Sequence, residues 1–203
     1  MPATPELAAT ADAASRRPVL IVASLISFLV PFMASSVNVA LPAIGAEFAM
    51  GARELTWVAT AYLLATAIFL VPVGRLADLH GRNRVFRIGL VLSALSSLLL
   101  AIAPSTPTFL LYRLLQGIGS AMIFSTSGAI LVSVFPATER GQALGINVAA
   151  VYLGLSVGPV VGGILTERLG WRSIFWITCA GSLAILAFAL RKLRGEWAEA
   201  RGE

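Results

Sequence analysis

Apolar residues run in long blocks along this chain, and most of the charge lies in or beside the gaps between them. Six blocks are long enough to cross a bilayer as helices, at residues 19–42, 54–73, 85–103, 109–133, 143–166 and 173–190. A hydrocarbon layer about 30 Å thick asks for roughly 20 such residues. The gaps are short, as in Pro-Ser-Thr-Pro-Thr at 104–108, so neighbouring helices must run antiparallel. The pattern predicts an all-α membrane domain at 18–192. An Ala-, Thr- and Pro-rich tail at 1–17 and a polar tail at 193–203 are expected to be disordered, having too little apolar surface to bury.

The six blocks differ in polarity. Away from their ends, the third and sixth carry only Ser93, Ser96, Ser97, Thr178, Cys179 and Ser182, small groups that can bond their own backbone. These two helices are expected to face lipid. The first, second, fourth and fifth carry Asn38, Trp57, Tyr62, Arg113, Gln116, Asn147 and Tyr152. Such side chains are costly in hydrocarbon unless they face protein or a wet cavity, so these four helices should line something. Two polar helices followed by one bland helix occurs twice, which predicts two three-helix repeats, inverted because they insert in sequence.

Composition confirms the solvent. The chain is 58% hydrophobic and 12% charged, with a mean hydropathy of +0.87. A pI near 10.3 invites a nucleic-acid partner, but the basic residues flank helices instead. Arg16, Arg17, Arg75, Arg82, Arg84, Arg87, Arg140, Arg191, Lys192, Arg194 and Arg201 fall on one side, and only Arg53, Arg168 and Arg172 on the other. That bias predicts both termini in the cytoplasm. A cleaved signal peptide is the alternative for the N-terminus, but the first apolar block exceeds the roughly 7–15 residues of a signal core. Cys179 is the one cysteine, so no disulfide framework or metal cluster is expected, and no cofactor. No nucleophile–base pair or phosphate loop points to an enzyme.

Arg113 is the one charge well inside a block. An unpaired guanidinium there is expensive, so it must find carbonyls, Gln116, Asn38, an anion or, by snorkelling, the interface. The aromatics Trp57, Tyr62, Phe69, Phe124 and Tyr152 could form a π-rich substrate surface or simply anchor the bundle. Gly154 and Gly158 make a small-xxx-small pair for close helix approach, and Pro159 removes a backbone hydrogen bond. The run Gly74–Arg84 gathers Asp78 among three arginines, with Arg87 just beyond. Its glycines allow a tight turn, and Asp78 is expected at a helix N-terminus as part of a latch that can open.

These runs occur in a recognisable order. Gly74, Leu76, Asp78, Gly81 and Arg82 resemble motif A of the major facilitator superfamily. Arg113, Gln116, Gly117 and Gly119 resemble its motif B. Gly154, Gly158, Pro159, Gly162 and Gly163 resemble its antiporter motif C. Ser35–Pro42 and Trp57–Leu64 are similar to signatures of the fourteen-helix drug/proton antiporter branch. The resemblance implies half of such a transporter, moving small amphipathic or drug-like molecules, with protons as a possible coupling partner. It implies a substrate cavity at Met33, Asn38, Trp57, Tyr62, Arg113, Gln116, Asn147 and Tyr152, and a cytoplasmic gate at Gly74, Asp78, Gly81 and Arg82. Met33 stands where that branch has an aspartate, and no Asp or Glu lies mid-span, which weakens the expectation of proton coupling.

Family members have twelve or fourteen spans, so the cavity face is expected to need a cover, from a second copy or a separate C-terminal half. Left bare in one copy, Arg113, Gln116 and Asn38 would meet lipid. A bacterial inner membrane is the expected location.

Overall fold

The computed structural model describes residues 5–192, with side chains from Arg16 onward. Among these residues the chain is six helices: α1 Pro5–Phe48, α2 Ala52–His80, α3 Arg82–Ala101, α4 Thr106–Val134, α5 Ala137–Leu169 and α6 Arg172–Lys192. All six are long and apolar enough to cross a membrane. The backbone is already helical from Pro5, through most of the stretch expected as a tail. Ala, Leu and Glu favour helix there, and proline suits a first turn. Residues 1–4 and the tail expected at 193–203 lie outside the described residues.

The helices run past the apolar blocks and into the charge. Gly74–Arg84, expected as a loop, is the last two turns of α2 and the first turn of α3, interrupted at Gly81 alone. Gly81 takes φ 101°, a left-handed value that glycine adopts without strain, and its N–H closes on the Ala77 carbonyl at 2.9 Å. Gly170, with φ 80°, plays the same part between α5 and α6. At the start of α4 the Ser105 N–H donates to the Thr108 hydroxyl at 3.2 Å, a cap that fixes the helix register.

The broadest seams are α1 on α5 and α2 on α4, then α3 on α4, α3 on α6 and α1 on α6. Exchanging α1 with α4, α2 with α5 and α3 with α6 maps this set onto itself. The bundle is therefore two inverted three-helix repeats about a pseudo-two-fold axis. Ser93 and Ser182, 89 residues apart, meet hydroxyl to hydroxyl at 3.3 Å and mark that axis. Subtracting the same offset turns Gly117 into Phe28 and Gly154 into Ala65. A Cβ at Gly117 would overlap Ala65 and the Tyr62 carbonyl, and one at Gly154 the Phe28 carbonyl. Closest approach in the two broad seams thus falls at equivalent residues.

α3 and α6 correct the expectation drawn from their polarity. Ser93, Ser96, Ser97, Thr178 and Ser182 are buried, because small hydroxyls fit the tight α3–α6, α3–α4 and α1–α6 seams. Only the outer faces of these helices, such as Val91, Leu95 and Leu183, are left apolar and exposed. The least buried helices are α2 and α5. Their free faces carry Leu63, Ile68, Val71, Leu153, Val160 and Ile164.

Candidate functional site

Arg113 projects from α4 into the bundle and is 2% exposed. Its Nε donates to the Val58 carbonyl of α2 at 3.0 Å, and its Nη1 to Gln116 Oε1 at 2.6 Å and to Met33 Sδ of α1 at 3.5 Å. The guanidinium carbon lies 4.5 Å from the centre of the Tyr62 ring, which adds a cation–π contact. All these partners are neutral. The charge is solvated by dipoles and a π face, with no carboxylate beside it.

The network continues around it. Gln116 Nε2 donates to Ser97 of α3 at 3.0 Å, and the Tyr62 hydroxyl to Ser120 of α4 at 3.1 Å. Thr66 donates to the carbonyls of Tyr62 at 2.8 Å and Gly117 at 3.1 Å. Arg113, Gln116 and Ser120 share a helix face by their spacing of three and four, which sequence alone could reveal. Ser97 and Thr66 carried no comparable signal; they are ordinary small polar residues until the seams bring them here.

The eight residues expected to line one cavity divide into groups. Met33, Tyr62, Arg113 and Gln116 are buried together, while Asn38, Trp57 and Tyr152 are exposed on the face shared by α1, α2 and α5. The expectation that Arg113 and Gln116 would lie bare in one copy is corrected, because four helices of the same chain enclose them. Asn38 does stand exposed. A pocket of about 50 Å³, lined by Ala34, Asn38, Ala59, Tyr62, Leu63 and Arg113, connects the exposed face to the buried charge. Asn147 lies toward the end that carries the termini, half-buried, with its Oδ1 accepting from Ser27 at 3.2 Å.

The glycines of α5 meet α1. A Cβ at Gly154, Gly158 or Gly162 would collide with Phe28, Ser35 or Ser36. Ser36 donates to the Gly158 carbonyl at 2.9 Å and Ser35 to the Gly154 carbonyl at 3.4 Å. The paired serines that close the first apolar block thus bond backbone that only glycine leaves open. Gly163 has room, its nearest neighbour being Val39 at 3.7 Å from a would-be Cβ. α5 runs unbroken through Pro159, on its exposed side.

At the other charged site, Asp78 lies in the last turn of α2 rather than at a helix N-terminus. A carboxylate there opposes the negative end of the helix dipole, and Arg82 compensates, with Nε and Nη2 both 2.9 Å from Asp78 Oδ1. Asp78 is 45% exposed and Arg82 9%. A Cβ at Gly74 would meet Ser125 only at ordinary contact distance, 3.7 Å. Among the described residues no cluster of His, Cys, Asp or Glu is placed to hold a metal.

Six membrane-length helices in two inverted repeats, with a charge held at depth and polar and aromatic groups exposed on α1, α2 and α5, define half of a polytopic transporter-type bundle. The chain belongs to the Major Facilitator Superfamily, whose family model matches residues 23–202. It is 39% identical to the multidrug resistance protein Stp of Mycobacterium tuberculosis, covering 84% of this chain and 32% of Stp. It is 35% identical to the riboflavin transporter RibZ of Clostridioides difficile, covering 78% of this chain and 35% of RibZ. The chain therefore spans about a third of the length of these curated relatives. A crystal structure of a bacterial homologue of the human lysosomal transporter Spinster, inward-facing and unoccupied, superposes with a TM-score of 0.79 at 20% identity. That match covers 93% of this chain and 46% of the other, and it shows the shared fold. The family and these relatives are transporters rather than enzymes.

Proposed function

We propose that this chain is a six-helix transporter unit that moves small amphipathic, drug-like molecules by alternating access against a second unit laid over its α2/α5 face. The observation that carries the reading is the pocket joining that face to Arg113. A cation solvated only by neutral groups keeps a field that a polar substrate group can feel, while the exposed Trp57 of α2 and Tyr152 of α5 offer apolar, π-rich surface. The names of Stp and RibZ, a multidrug resistance protein and a riboflavin transporter, support substrates of this class.

The covering unit is a second copy in the same orientation, giving a parallel two-fold dimer with an isologous interface. A separate C-terminal half is the second reading. It is favoured by the self-sufficiency of the Arg113 network and by the chain's spanning a third of its relatives. The bias of basic residues supports a multi-pass protein of a bacterial inner membrane with both termini cytoplasmic. In that orientation Asp78–Arg82 lies at the cytoplasmic gate. With Met33 against Arg113 the guanidinium has no carboxylate neighbour, and the unit is expected to carry substrate down its gradient without protons.

Vesicles containing the purified chain test the proposal by dye flux. Saturable flux by the chain alone supports the dimer, and flux only after adding a relative's C-terminal half supports the second reading. No flux in either case overturns transport.

A further inference from the structure

The charged α2–α3 turn has a counterpart at the opposite end of the bundle. Carried forward by the 89 residues that separate Ser93 from Ser182, Gly74-x-Leu76-x-Asp78-x-x-Gly81 becomes Gly163-x-Leu165-x-Glu167-x-x-Gly170. Glycine, leucine, acid and glycine recur in register. Gly81 and Gly170 both take a left-handed φ, 101° and 80°, and each reverses the chain between the second and third helix of its repeat.

The two turns spend their charges differently. At α2–α3 the repeat's own acid, Asp78, pairs with the residue after the glycine, Arg82. At α5–α6 the residues after the glycine are Trp171 and Arg172, and both reach out of their repeat to Glu47 near the end of α1. Trp171 Nε1 donates to Glu47 Oε2 at 2.7 Å and Arg172 Nη1 to the same oxygen at 2.6 Å. The Arg172 guanidinium lies 4.3 Å from the centre of the Trp171 ring. Trp171 is itself buried among Phe48, Phe109 and Phe175. Glu47 thus takes the place of Glu167, which is exposed and makes no bond among the described residues.

We propose that the α5–α6 turn is a second clasp, the inverted counterpart of the α2–α3 turn, which fastens the end of α1 to the start of α6 through Glu47. The first clasp closes within one repeat, whereas this one joins the two repeats. α1 and α6 cannot separate at this end until Glu47 lets go. The clasp does not depend on whether the chain transports anything.

Hydrogen–deuterium exchange on the chain in lipid nanodiscs tests it. Glu47→Ala should speed amide exchange about tenfold at residues 45–50 and 171–175, since local opening there loses its main polar restraint. Exchange at 78–86 should stay within about twofold, and Asp78→Asn should produce the reverse pattern. The exchanged pair Glu47→Arg with Arg172→Glu restores the ion pair but not the acceptor of Trp171, so it should bring both segments part of the way back toward wild-type rates, which separates a clasp from general damage. Unchanged exchange in Glu47→Ala, or an even rise through all six helices, overturns the proposal.

Discussion

The surroundings of Arg113 and the α2/α5 face both bear polar groups at membrane depth, yet they are built on opposite plans. Around Arg113 each polar side chain finds its partner inside the chain, on α1, α2, α3 or α4. On the α2/α5 side, Asn38, Trp57 and Tyr152 stand exposed among leucines and valines. This half-bundle completes its interior alone and leaves polar and aromatic groups exposed on one side. Apolar residues do not say what covers that side, because lipid and a neighbouring helix suit them equally well. The isolated polar and aromatic groups are what favour protein.

Substitutions can separate the two regions. The largest loss is expected in the seam that supports the interior. Gly158→Leu would drive a side chain into Ser35 and the Phe32 backbone, costing about 3 kcal/mol in equilibrium unfolding from mixed micelles. Gln116→Leu removes the acceptor of Arg113 and the donor to Ser97 and should cost about 2 kcal/mol in the same assay. Met33→Asp sets a carboxylate beside the guanidinium. Stability should change by no more than about 1 kcal/mol as attraction and desolvation offset, while vesicle flux becomes sensitive to an imposed pH gradient. Tyr152→Ala, on the open face, should shift stability by less than about 0.5 kcal/mol yet lower flux. If Tyr152→Ala unfolds the protein as readily as Gln116→Leu, the contrast between the regions fails.

Much of this architecture was legible in the chain. Long apolar blocks and short gaps define six antiparallel helices, and the alternation of polar and bland blocks exposes the repeat. Helix ends were less legible, because hydropathy marks where lipid stops and not where hydrogen bonding stops. Asp78 and His80 are polar yet still helical. Burial was misread for α3 and α6, since a serine looks the same in sequence whether it bonds its own helix or a neighbour. Ser96 donates to the Ser93 carbonyl of its own helix, while Ser97 accepts from Gln116. Arg113 was visible as a charge needing shelter. That the shelter lies within one chain depended on the register of α2 against α4, which puts the Val58 carbonyl 3.0 Å from Nε and which no local pattern encodes.

On the reading proposed above, the α2/α5 face works only when covered by protein. The most direct test is the molar mass of the chain in lipid nanodiscs, measured beside flux for the wild type and for Val160→Arg, a charge placed in the middle of that face. Two copies per disc with flux are expected for the wild type, and a folded single copy without flux for the variant. A single wild-type copy that moves substrate unaided would contradict that reading.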